Sequence, residues 1–196
     1  MLCAFLNLAQ MPKDGVLWRG WLRFGGRHRI ELSLHVLFVV TAVAVTYVLA
    51  AGFLPRVFPG WDPAVYWQVA VTVTLTDSLA GLLHELGHAA AALARGRQVY
   101  RITLYGLAAA GYRSGGPGRP RDRFAIALAG PISHLLVASA LLCTWTLLPP
   151  GNQPLRVATG LPALSNLAVG LLNLVPIAPL DGSRVARALI DAVLRV

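Results

Sequence analysis

The chain alternates between long apolar runs and short polar, basic segments. The first run, residues 34–54, holds no charged side chain, and only His35 near its start can take up a proton. A membrane-crossing helix needs about 20 mostly apolar residues, so this run predicts a span. A second, residues 68–94, is long enough to cross but contains Thr72, Thr74, Thr76, Asp77, Ser78, His84, Glu85 and His88. It is too polar to face lipid on every side. A third covers 124–148 and ends at "PPGNQP"; a fourth covers 157–174 and stops at prolines. The segment "NLVPIAPLDG" cannot be one regular helix, because Pro176 and Pro179 lack amide hydrogens and disfavour helix at the preceding residue. Broken backbone at membrane depth is tolerated where protein or a cavity satisfies its polar groups. A short helix is expected at 183–194, with Arg184, Arg187 and Asp191; it either lies along the membrane surface or belongs to a chain cut short there.

Between the second and third runs, "RQVYRITLYGLAAAGY" has the β-branched and aromatic content of two short strands, and "RSGGPGRPRD" reads as a turn-rich loop. The expected fold is an all-α polytopic membrane protein. It has four to five membrane-embedded helices, a short membrane-associated β-hairpin or small sheet, and a broken helix or loop. Residues 1–33 read as a juxtamembrane arm at the lipid headgroups, and residues 34–196 as the membrane core.

Composition agrees: 56% of the 196 residues are hydrophobic, 13% are charged, and the mean hydropathy is +0.63. More than thirty residues precede the first apolar run, which is too long for a secretory signal. The net charge of +9 would suit nucleic acid if it were spread over a soluble surface. Instead, Lys13, Arg19, Arg23, Arg27 and Arg29 precede the first span, and seven arginines with one acidic residue lie between Arg95 and Arg123. Only Arg56 and Arg156 fall in the opposite loops. That asymmetry predicts an N-terminus and an active site toward the cytoplasm and excludes nucleic acid as a partner. Cys3 and Cys143 have no metal-type spacing and imply no disulfide framework. No internal repeat, coiled coil or glycine-rich phosphate loop is present.

The chemistry lies in "LLHELGHAAA". His84 and His88 are four residues apart, so on a helix both can direct a ring nitrogen at one ion, with Glu85 one position round. Two histidines and one further ligand leave an open coordination position, as catalytic zinc requires. An unpaired carboxylate in a span is costly, which favours the metal reading over a plain polar helix face. Asp181, after the prolyl break, is the preferred third ligand. Asp77, about 10 Å before His84 along one helix, is too far to share the ion easily and reads as a cavity-lining group.

In order along the chain, "RIELSLHVLF", HELGH at 84–88, "ALAGPISH" at 127–134 and "NLVPIAPLDG" at 173–182 resemble the site-2 protease family of intramembrane zinc metalloproteases. The resemblance runs from about Ile30 to the end. It implies one zinc per chain held by His84, His88 and Asp181, with Glu85 as catalytic base. It also implies that Asn173 binds substrate or the oxyanion, and that its segment, with Pro176 and Pro179, holds the substrate backbone. Substrates would be transmembrane proteins of a prokaryotic cell membrane, either regulators in regulated intramembrane proteolysis or remnant signal peptides. The family usually has asparagine where this chain has His134, which puts any local hydrogen-bond role of that position in question. The rival expectations are a non-proteolytic zinc scaffold or chaperone, against which Glu85 argues, and metal transport, for which no pathway of carboxylates is present.

Overall fold

A computed structural model describes residues 16–24, 28–105, 108–114 and 118–194. Four helical spans form the body. The first, Val36–Val57, is α1 (Val36–Tyr47), a π-helical stretch (Val48–Phe53) and α2 (Leu54–Val57) in one rod. The wide turns end just before Pro55, which has no amide hydrogen to offer a regular ladder. The others are α3 (Pro63–Leu93), α4 (Pro120–Leu147) and α5 (Gln153–Leu172). The chain closes with α6 (Asp181–Val193).

The span boundaries follow from local chemistry. The Asp62 carboxylate accepts from the Ala64 amide at 2.8 Å and Pro63 opens α3, a strong start signal. Proline also opens α4, and the Asn152 side chain accepts from Leu155 at the start of α5. These signals place helix starts four or five residues earlier than hydropathy does, at 63, 120 and 153 rather than 68, 124 and 157. Polar residues can occupy the first turn of a helix whose apolar body lies deeper.

Four strands form one sheet in the order β1 (Val16–Phe24), β2 (His28–His35), β3 (Gln98–Tyr105), β4 (Ala108–Ser114). The outer pairs are antiparallel, whereas β2 and β3 run parallel from Glu31↔Arg101 to Leu34↔Leu104. A parallel pair needs a long crossover. Here the first span and α3 supply it, going away from the sheet and returning.

The expected hairpin at 98–112 is therefore half of a larger sheet. Within the segment read as a juxtamembrane arm, residues 16–24 and 28–33 are strand, and β2 continues to His35, directly before α1. The arm's alternation is hidden from a sequence reading by its basic residues, and its pairing with β3 is contact across some 70 positions. Residues 1–15 lie outside the described residues.

Ile30 and Ile102 are fully buried with Val99 against Ala89 and Ala92 of α3 and Ile126 of α4. The sheet is thus seated on the end of the bundle where α3 finishes and α4 begins. Across β2 and β3, Arg101 donates to Glu31 at 3.0 Å and the Ser33 hydroxyl to the same carboxylate at 3.1 Å. Burial works against the charged form of Glu31, yet these bonds hold its carboxyl below the usual range.

At the opposite end the Tyr66 hydroxyl donates to the Phe58 carbonyl at 2.7 Å and accepts from the Trp61 amide, while the Trp61 ring stacks between Phe58 and Tyr66. Between the two ends, the spans expose large apolar side chains, among them Val43 (64%), Leu75 (64%), Leu136 (66%) and Leu164 (59%). Such faces are stable against lipid tails. Close approach of α3 and α4 depends on Gly87, where an added Cβ would lie 2.8 Å from the Ala129 carbonyl oxygen.

This path places residues 59 and 151 on one side of the membrane and residues 98 and 121 on the other. After Cys3 and Cys143 are replaced by serine, single cysteines at Pro59 and Gly151 should react with an impermeant maleimide from one face, and those at Gln98 and Arg121 from the opposite face. Labelling of all four from the same face would contradict the crossing pattern.

Candidate metal centre

His84 and His88 are one turn apart on the inner face of α3, and both are buried. His88 Nδ1 lies 2.6 Å from the Ile126 carbonyl oxygen. A carbonyl only accepts, so Nδ1 carries a proton, the arrangement that leaves Nε2 as the nitrogen able to ligate a metal. That Nε2 faces His84 Nε2 at 3.1 Å and Asp181 Oδ2 at 2.9 Å, and His84 Nε2 is 3.1 Å from the same carboxylate oxygen. Three potential donor atoms gathered in so small a triangle have the spacing that one bound ion requires. A tetrahedral site with bonds of about 2.0–2.1 Å has ligand–ligand edges of about 3.3 Å, close to this spacing. The donor set of two imidazoles and a carboxylate suits zinc.

Three further features shape this triangle. Gly130 of α4 lies against it, and an added Cβ would come within 2.7 Å of His84 Nε2 and nearer still to His88 Nε2. Asp181 opens α6 directly after the irregular stretch 173–180. The Gly182 amide donates to the Asn173 carbonyl at 2.6 Å, and no side chain fits at Gly182 beneath the Leu174 and Val175 carbonyls. Arg184 donates to Asp181 Oδ1 at 3.1 Å, leaving Oδ2 turned toward the histidines.

The remaining sequence-derived residues are distributed as follows. Glu85 is 8% exposed, and one of its carboxylate oxygens falls within a 4.8 Å cluster with the histidine nitrogens. Asn173 is half-buried, and its side-chain amide donates to the Val169 carbonyl at 3.0 Å. Pro176 and Pro179 are exposed on the irregular stretch.

Asp77 stays out of the triangle: it accepts from Ser165 and from Asn166 Nδ2, each at 2.8 Å. Asn166 Nδ2 also donates to the Pro162 carbonyl, so its Oδ1 accepts from His134 Nδ1 at 2.7 Å. His134 in turn lies 4.9 Å, ring to ring, from His84. A buried relay Asp77–Asn166–His134 therefore backs the site. Ser165 and Asn166 are the residues sequence reasoning missed; two adjacent polar side chains in an apolar span were the available signal. The Ile126 carbonyl had none.

Four apolar spans enclosing two histidines and an aspartate define a polytopic membrane protein with an intramembrane metal-type site. The Peptidase M50B-like family model matches residues 61–149. Rip3 of Mycobacterium tuberculosis is 36% identical over 143 residues, 70% of this chain and 36% of that protein. Zinc metalloprotease MJ0392 of Methanocaldococcus jannaschii is 24% identical over 164 residues, 83% of this chain and 43% of that protein. The chain thus spans well under half the length of these relatives. In fold it is similar to a site-2 protease structure from M. jannaschii, with a TM-score of 0.60 and 22% identity over 89% of this chain and 73% of that one. The chain belongs to the M50/site-2 protease-like family of zinc metalloproteases.

Gly130→Ala should lower zinc affinity at least tenfold, because a methyl group displaces the donor nitrogens, whereas Gly151→Ala, where a Cβ meets nothing, should leave it unchanged. Competition titration against a chromophoric chelator measures both. Equal affinities would show that Gly130 does not shape the centre.

Proposed function

We propose that the chain is a zinc-dependent endopeptidase that hydrolyses peptide bonds within or next to transmembrane segments of membrane-anchored proteins. One zinc per chain would be held by His84, His88 and Asp181. The observation that carries this reading is the triangle of two imidazole nitrogens and a carboxylate oxygen, with Glu85 beside it and Gly130 closing one side. A purely structural site would favour four protein ligands and would not need an adjacent carboxylate.

When bound, the ion would supply Lewis acidity and make a water more acidic. Glu85 would accept a proton from the attacking water and return it to the leaving amine. Asn173 Nδ2, exchanging its bond to the Val169 carbonyl for one to substrate, donates to the developing oxyanion, a contact worth about 3 kcal/mol in other hydrolases. Burial between α3 and α4 keeps the histidines fixed and bulk water out. The Asp77–Asn166–His134 relay supports His134, and through it the packing around His84.

A peptide bond in a helical span has its own hydrogen bonds satisfied, so the substrate must unwind. An extended segment would pair at an edge of the sheet, β1 or β4, since β2 and β3 are already paired on both sides. The basic residues of β2 and of the α3–α4 connection lie at the sheet end, which supports a cytoplasmic orientation of that end and of the site near it. Membrane-anchored regulators and remnant signal peptides are the substrate classes this reading favours, in a bacterial or archaeal cell membrane.

Glu85→Gln should keep its zinc and cleave a transmembrane substrate in vesicles at least 100-fold more slowly, as expected from loss of acid–base catalysis (about 10²- to 10⁴-fold). Asp181→Asn should lose zinc affinity and cleavage together. Near-normal cleavage by zinc-replete Glu85→Gln would remove Glu85 as the base, and absence of cleavage by the wild type would favour a zinc scaffold.

A further inference from the structure

We propose that a second site, beside the metal centre, binds a phosphate group. Beyond the histidines, toward the sheet end, a cavity of about 440 Å³ is lined by Arg97, Arg123, Arg184 and Arg187, with Ser183 and the apolar Ile126, Ala127, Ala178 and Pro179 completing its wall. The four guanidinium groups come from three separate places in the chain: the turn after α3, the start of α4, and the first turns of α6. Among the described residues, carboxylates meet two of them. Asp191 meets Arg123 at 2.7 Å, and Asp181 Oδ1 meets Arg184 at 3.1 Å. Four guanidinium groups around one cavity concentrate positive charge there. The Asp181 carboxylate is also shared with the histidine triangle, which reduces what it offers Arg184. Arg123 Nε is buried with no hydrogen-bond partner, a donor without an acceptor.

Planar guanidinium groups converging from several directions match the oxygens of a phosphate, each able to donate two bonds. A lone carboxylate would engage one such fork and leave the others unneutralised. The cavity is large enough for a phosphate ester with part of its alcohol. Its position fits a lipid source. Arg97 follows the end of α3 and Arg123 precedes the apolar body of α4, which is headgroup depth. On α6, Arg184 and Arg187 share one face, while Leu189 (51% exposed) and Val193 (81%) lie on the other. A helix so divided lies in the membrane interface with its basic face available to anionic headgroups. The occupant is a phosphate ester, from an anionic phospholipid or from a soluble phosphate compound. Occupancy would tie the exit of α3, the start of α4 and the helix that begins with Asp181 to one another. The proposal rests on the cavity itself and does not depend on proteolysis.

The test uses the purified full chain in neutral detergent, with two probes: phosphatidylglycerol followed by native mass spectrometry, and inorganic phosphate followed by calorimetry. Wild type should retain one phosphatidylglycerol in preference to phosphatidylcholine, and Arg97→Gln/Arg187→Gln should bind it at least tenfold more weakly. Tight phosphate binding lost in the same variant would support the site with a soluble source. Arg95→Gln/Arg121→Gln removes two nearby charges outside the cavity and should leave binding intact. Zinc content and melting temperature check that each variant is folded. Equal binding by the cavity variant and wild type, equal loss in both double variants, or no binding of either probe by wild type would overturn the proposal.

Discussion

The convergence of two imidazoles and a carboxylate on one point inside a membrane protein is the constraint around which the rest is arranged. With Nδ1 of His88 donating to the Ile126 carbonyl, its Nε2 is turned to the Asp181 carboxylate at 2.9 Å. A carboxylate so buried is costly unless positive charge meets it, which an ion held at the centre of the cluster would supply. Each neighbouring feature holds the cluster in that arrangement. Gly130 allows α4 to lie directly on the nitrogens, Gly87 allows the helices to approach, and the break before α6 brings a carboxylate from near the chain's end to meet a helix near its middle.

The sheet contributes by fixing the end of α3. Because β2 and β3 are parallel neighbours, the first span and α3 are joined at both ends, and the buried Ile30–Ile102 contact seats the sheet against Ala89 and Ala92, just beyond His88. A shift of α3 along its axis would break that packing and move both histidines. The aromatic cluster of Phe58, Trp61 and Tyr66 anchors the other end of the same helix. The helix that carries the His84–His88 pair is therefore constrained at both of its ends, while lipid-facing positions such as Leu75 are free to vary.

Much of this was legible in the sequence because its signals are local. Apolar runs revealed the spans, the four-residue spacing placed both histidines on one face, and Pro176 and Pro179 marked the irregular stretch before Asp181. The unread parts depend on long-range contact. The strand character of β1 and β2 is not visible in the arm, since the core-facing Ile30 of β2 acquires meaning only beside Ile102. The Asn166 amide links Asp77 to His134 across two helices, which no spacing along one helix displays. The closeness of Gly130 to the histidines is a property of the α3–α4 interface and leaves no trace in periodicity.

The central claim is that Asp181 joins His84 and His88 around one ion. Zinc K-edge X-ray absorption on the purified full chain tests it most directly, comparing wild type with Asp181→Ala reconstituted with zinc. The account predicts a first shell of nitrogen and oxygen only, with two imidazole nitrogens at about 2.0–2.1 Å and a carboxylate oxygen at about 2.0–2.2 Å that the substitution removes. A shell containing sulfur, or a spectrum and zinc affinity unchanged by loss of Asp181, would contradict it.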